Sequence, residues 1–143
     1  MGRILAVDHG ERRAGIALSD PLGIAARPLR EVVSDSPGEM VSRIAELART
    51  HEATRVVVGH PRNMDGSRGA RALAVERFAA ALARALDPIP VELVDERLTT
   101  QEAAARLRDR RPGRRGRADA KEALNLMAAR IILQDYLDAR GGG

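Results

Sequence analysis

The chain has 143 residues, 31% of them charged, with no cysteine or tryptophan and a formal net charge of +4 at pH 7. A disulfide scaffold and a cysteine-based zinc site are thereby excluded, and the length suits one domain with a sizeable core. The only apolar run before Asp8 spans four residues, too short for a signal-peptide core or a membrane span, so a cytoplasmic protein with no membrane partner is expected.

Residues 3–8, RILAVD, are rich in branched apolar side chains and predict a strand ending at Asp8. HGERRAG (9–15) reads as a turn, and IALSD (16–20) as the antiparallel partner strand. Residues 24–33 predict a third strand, in which Pro28 demands an edge position or a bulge. In residues 36–52, Ser36 is placed to cap a helix, with Pro37 at its first position and Glu39 completing a capping box. Met40, Ile44, Leu47 and Ala48 form one apolar stripe of that helix. RVVVGHP (55–61) is a continuous apolar run bounded by Gly59 and Pro61, the pattern of a buried interior strand. A polar loop leads into a helix over residues 68–86, with Leu73, Phe78, Leu82 and Leu86 as core candidates. Residues 90–96 predict a fifth strand. Residues 99–111 predict a helix capped by Thr99 and ended by Pro112-Gly113, and residues 118–139 a last helix. Residues 140–143 read as a frayed tail. The order β-β-β-α-β-α-β-α-α predicts an α/β fold: a mixed five-stranded sheet with helices on both faces, in one domain over residues 1–139.

Asp8 ends one predicted strand and Asp95-Glu96 another, and both ends can lie at the edge where open α/β sheets place their ligands. Neighbours in an extended segment point to opposite faces, so one of Asp95 and Glu96 can join Asp8. A carboxylate following an apolar run is expensive to bury unless a cation meets it. Converging carboxylates call for a hard divalent cation, Mg²⁺ or Mn²⁺. The same residues admit plainer roles, Asp8 as a hairpin turn former and Asp95-Glu96-Arg97 as the approach to a helix. His9, His51 and His60 lack zinc-site spacing. The window 106–117 holds seven arginines and one aspartate. Guanidinium forks match phosphate oxygens, so this patch fits either a polyanion partner or a solvated linker. Phe78 and Tyr136 are the whole aromatic content, which argues against base stacking and for structured or duplex nucleic acid.

Four blocks, AVDHGERRAGIALSD, VVVGHPRNMDGSRG, VELVDERLTTQEA and AARIILQDYLD, lie in this order within residues 3–138. They resemble the YqgF family, the RuvX-like branch of Holliday-junction-resolvase relatives with a ribonuclease H-like fold. The resemblance implies a nuclease whose three acids hold the metal ions. Asp8 matches the first and Glu96 the second, with Asp95 beside it. The third position, a family aspartate opening the last helix, falls on Asn125. Glu122, one turn earlier, and Asp119, another turn back, are the acids placed to supply the missing charge. In the mechanism the resemblance implies, Asp8 bridges two Mg²⁺ or Mn²⁺ ions and Glu96 fixes one of them. Arg97, Thr99 and Thr100 at a helix N-terminus would contact phosphate, and Arg110, Arg111, Arg114, Arg115 and Arg117 would track the nucleic-acid backbone. The implied substrate is the 5′ end of precursor 16S ribosomal RNA, with branched DNA such as a Holliday junction as the alternative. The asparagine at position 125 favours a third reading, a non-catalytic nucleic-acid-binding module. An actin-like ATPase half needs a second subdomain, for which 143 residues leave no room. The exposed helix faces leave a homodimer open.

Overall fold

In the computed structural model, which describes residues 2–63, 65–95 and 117–141, the first three strands form an antiparallel meander. They are β1 (Arg3–His9), β2 (Arg13–Ser19) and β3 (Ala26–Val33). Two further strands, β4 (Ala53–His60) and β5 (Val91–Asp95), run parallel to β1 and give the sheet order β3-β2-β1-β4-β5. Parallel neighbours need crossovers: α1 (Pro37–Thr50) carries the chain from edge strand β3 to β4 beside β1, and α2 (Ala70–Leu86) joins the neighbours β4 and β5. The last described helix is α3 (Arg117–Gly141), which continues to Gly141. The helix expected over residues 99–111 lies outside the described residues. Among those described, no helix is long and apolar enough to cross a membrane.

Strand alternation divides the core into two layers. Leu5, Val7, Ile16, Leu18, Val56 and Val58 face α1 and α2, meeting Met40, Ile44, Phe78, Leu82 and Leu86. Ile4, Ala6, Ala17 and Val57 face α3, meeting Ala129, Ile132, Leu133 and Leu137. Helices therefore cover both faces, and each fully buried Leu or Ile contributes about 1.5–3 kcal/mol. Gln134 ties α3 to the edge of the sheet: its Oε1 accepts the Ala26 N–H at 2.9 Å, and its Nε2 donates to the Ile24 carbonyl at 3.1 Å.

Several local expectations are refined. Pro28 lies on an edge strand and beside a bulge: Ile16 pairs with Arg30 but Ala17 with Pro28, so Leu29 is the extra residue. The first turn is tighter than its composition suggests. The Gly10 N–H donates to the Arg13 carbonyl at 2.7 Å, so Arg13, Ala14 and Gly15 belong to the sheet. Ser36 caps α1 as expected, its Oγ accepting the Glu39 N–H at 3.3 Å. The return half of the capping box is absent, because the Ser36 N–H is already taken by Ser34 Oγ at 3.1 Å while Glu39 lies 3.8 Å from Arg43. In α2, Leu73 is 40% exposed, and Ala72 and Val75 fill the core in its place.

Candidate active site

Asp8 is the penultimate residue of β1, on the face it shares with Ile4 and Ala6, under α3. It is only 6% exposed. Across the sheet it pairs with Gly15 of β2, and Gly15 pairs in turn with Glu31 of β3. Asp8, Gly15 and Glu31 thus form a row on one face, with the two acids separated by two strand spacings, about 10 Å between Cα atoms. The middle of the row is glycine for a steric reason. A Cβ at position 15 would collide with the backbone carbonyl of Asn125, where α3 crosses the sheet.

Asn125 therefore sits over the centre of the row. Its Nδ2 donates to Glu31 Oε2 at 2.8 Å, and Arg13 Nη1 donates to Glu31 Oε1, also at 2.8 Å. The Glu31 side chain is only 7% exposed, and these two donors offset the burial of its charge. The acid that meets Asn125 is thus Glu31 from the edge strand. Glu122, one turn before Asn125 on α3, is exposed. Glu31 was absent from the sequence-derived candidates, because a glutamate in a Pro-containing edge strand reads as solvated.

The cation that meets Asp8 is also one that spacing did not reveal. Arg71, in the first turn of α2, places Nη2 3.8 Å from Asp8 Oδ1 and 3.4 Å from the His9 carbonyl. His9 itself stacks on Phe78 with ring centroids 4.2 Å apart. Burial first, and then the Arg71 charge, lowers its pKa to about 4, so the ring is neutral at pH 7. His60, at the end of β4, is buried against Glu76, with Nε2 2.8 Å from Oε2. Arg62 Nε donates to His60 Nδ1 at 3.3 Å, and a guanidinium can only donate, so Nε2 carries the proton and donates to Glu76. Arg68 holds the other Glu76 oxygen at 3.0 Å.

The predicted site residues are thus only partly brought together. Asn125 lies over Gly15, the cross-strand partner of Asp8. Asp95 ends β5 and lines a cavity of about 230 Å³ with Val94, Ile132, Asp135 and Tyr136. Those α3 residues lie two to three turns beyond Asn125, so Asp95 is well away from it. Glu96, Arg97, Thr99, Thr100, Arg110, Arg111, Arg114 and Arg115 lie outside the described residues, and Arg117 is the first residue of α3. Among the described residues, no group of three or more His, Cys, Asp or Glu side chains could hold a metal ion. The donors present, the Asp8 carboxylate and the Asn125 amide, still suit a hard cation. Mg²⁺ takes oxygen ligands and is commonly held by one or two carboxylates plus substrate phosphates.

The sequence profile of the family described as "RuvX: Holliday junction resolvase" matches residues 2–139. A Thermobifida fusca protein named "Putative pre-16S rRNA nuclease" is 46% identical over 138 residues, covering 94% of this chain and 86% of its own. A Pelotomaculum thermopropionicum protein of the same name is 44% identical, covering 97% of this chain and 88% of its own. Among solved structures, Thermus thermophilus RuvC bound to a Holliday junction substrate superposes with a TM-score of 0.57 at 18% identity, over 99% of this chain and 97% of that one. The Fowlpox virus resolvase in its Holliday junction DNA complex gives 0.59 at 8% identity, over 96% and 98%. The fold is accordingly the ribonuclease H-like one of the RuvC resolvases.

Proposed function

Because the chain belongs to the RuvX Holliday junction resolvase family, we propose that it is a metal-dependent nuclease acting in the cytoplasm on the 5′ end of pre-16S rRNA. The observation that carries this reading is the buried Asp8 carboxylate near the C-terminal ends of parallel strands β1 and β4, paired across the sheet with the Gly15 over which Asn125 lies. That edge is where open α/β sheets hold their ligands. Asp8 and the Asn125 carbonyl would hold Mg²⁺ or Mn²⁺ together with Glu96, the second acid that the family resemblance implies. Two such ions supply an activated water and stabilisation of the leaving oxygen.

The chain's own residues have separate tasks. Burial fixes the Asp8 carboxylate in one orientation, so little ordering remains when a cation arrives. Arg71 balances Asp8 in its absence and stands half exposed beside it, within reach of a phosphate oxygen. We assign Arg97, Thr99 and Thr100 to phosphate contact and the Arg110–Arg117 segment to the nucleic-acid backbone, which makes binding fall steeply with salt. RNA is preferred to branched DNA as substrate because the relatives named for pre-16S rRNA are 44–46% identical over nearly the whole chain, whereas likeness to the solved junction resolvases, at 8–18% identity, is one of fold.

The test is side-by-side cleavage of a pre-16S 5′-end RNA and a four-way DNA junction with Mg²⁺ and with Mn²⁺. The RNA is expected to be cut, and Asp8→Asn to lower the rate by roughly 10²-fold or more, the effect of losing several kcal/mol of transition-state stabilisation. Cleavage of the junction alone would transfer the assignment to branched DNA. Cleavage of neither, with Asp8→Asn binding nucleic acid as the parent does, would leave a binding module.

A further inference from the structure

The exchange of the family's usual acid for Asn125 is matched by the position of Glu31. A carboxylate only accepts hydrogen bonds, so the group presented to Glu31 Oε2 must be the Asn125 NH₂, as the 2.8 Å contact has it. The other Glu31 oxygen is engaged by Arg13, which only donates. The orientation of the Asn125 amide is therefore dictated by charge. Its nitrogen faces Glu31, and its carbonyl oxygen is turned away from Glu31. Position 125 lies over Gly15, between Glu31 on one side and Asp8 on the other.

We propose that Glu31, held by Arg13, is the positioning residue that orients the Asn125 amide so that its carbonyl oxygen serves as a neutral metal ligand beside Asp8. This inference rests on the nuclease reading above. An amide offers an oxygen on one side only, so a metal site built on asparagine depends on whatever sets its orientation. A carboxylate at 125 offers oxygen on both sides and has no such dependence. A carboxylate there would also face Glu31 at hydrogen-bond distance, which accounts for the pairing of an amide with this glutamate.

The inference makes an isosteric substitution informative. In Glu31→Gln, Arg13 still requires the side-chain oxygen, so the new NH₂ faces Asn125. Asn125 must then rotate to accept it, carrying its own carbonyl away from Asp8. Binding of Mn²⁺ alone to the full chain, followed by calorimetry at neutral pH, reads this directly. The parent is expected to bind and Asp8→Asn to lose binding. Glu31→Gln should weaken binding by about tenfold or more, the range seen when the partner orienting a metal ligand is removed. Combining Glu31→Gln with Asn125→Asp should restore at least the parent affinity, because the aspartate accepts from the new amide at position 31 and keeps a second oxygen for the metal. In an Asn125→Ala background, the change at position 31 should have no further effect. A purely structural role for the Arg13–Glu31 pair would lower the melting temperature and would not be rescued at position 125. Equal Mn²⁺ affinity of the parent and Glu31→Gln, or additive losses in the Asn125→Ala background, would overturn the inference while leaving the nuclease reading intact. Absence of Mn²⁺ binding by the parent would overturn both.

Discussion

Gly15→Ala is the substitution to which the site is most sensitive, although it adds one methyl group and no charge. The new Cβ would meet the backbone carbonyl of Asn125 and then its Cβ, neither of which can swing aside as a flexible side-chain tip can. Relief requires α3 to lift from the sheet by about 1 Å, to restore ordinary van der Waals separation. The helix is held there by Ile132, Leu133 and Leu137, each buried against Ile4, Ala6, Ala17 and Val57. Three such side chains represent roughly 5–9 kcal/mol of burial, and a gap of that size forfeits a quarter to a half of the contact energy. The expected loss is about 2–3 kcal/mol, or about 10 °C in Tm for a chain of this length. Urea unfolding and calorimetry measure it, with Gly38→Ala as the control. At Gly38 a Cβ would meet only Ser36 Oγ at 4.0 Å within a helix, so alanine should be neutral or stabilising by up to about 1 kcal/mol. Melting of Gly15→Ala within about 2 °C of the parent would refute the claim that α3 rests on this glycine.

The neutral His9 gives a pH signature in metal-free buffer. Its folded pKa, about 4, lies below the unfolded value of 6.5, so the unfolded state binds more protons between those limits and stability falls as pH drops from 6.5 towards 4. With partial exposure discounted, the loss should be about 2 kcal/mol; melting curves of His9→Phe, which keeps the stack on Phe78, should lack this component. Arg71→Ala removes a guanidinium 3.8 Å from Asp8, so Mn²⁺ titration should show binding about fivefold tighter, a surface-exposed charge being worth on the order of 1 kcal/mol. Unchanged Mn²⁺ affinity would mean that Arg71 does not compete for Asp8. Ser36→Ala deletes the α1 cap and should destabilise the chain by about 1 kcal/mol in urea unfolding, with no change in metal binding.

What could be read in the sequence was local. The strands, the two-faced burial, the edge or bulge at Pro28, the Ser36 cap and the place of Asp8 near the end of a buried strand each follow from the residue and its near neighbours. Asn125 was located by motif position. What escaped depends on register. Gly15 lies in a charged, glycine-containing stretch that reads as a turn, and only the pairing Asp8–Gly15–Glu31 shows that its small size serves the approach of α3. Arg71 is one of several arginines in and around α2, and His60 and Glu76 are sixteen residues apart with no spacing rule to join them.

Register also explains why Glu31, and not its neighbour, stands in the row. Counting back along β2 from the Ser19–Ala26 pair at the far end of the hairpin, an unbroken ladder would set Gly15 opposite Arg30. The bulge that skips Leu29 advances β3 by one residue, and a one-residue slip moves every later side chain to the opposite face. Before the bulge, Ala26 packs under α3; after it, Val32 packs under α1 and Glu31 turns towards α3. Proline beside the bulge supplies a local reason for the break, since it cannot donate to the ladder. The path from Pro28 to the site is therefore continuous: a missing N–H shifts the edge strand, the shift carries an acid under α3, and that acid fixes the amide of Asn125. A chain altered at position 125 alone could not be understood without the edge strand two strands away from Asp8.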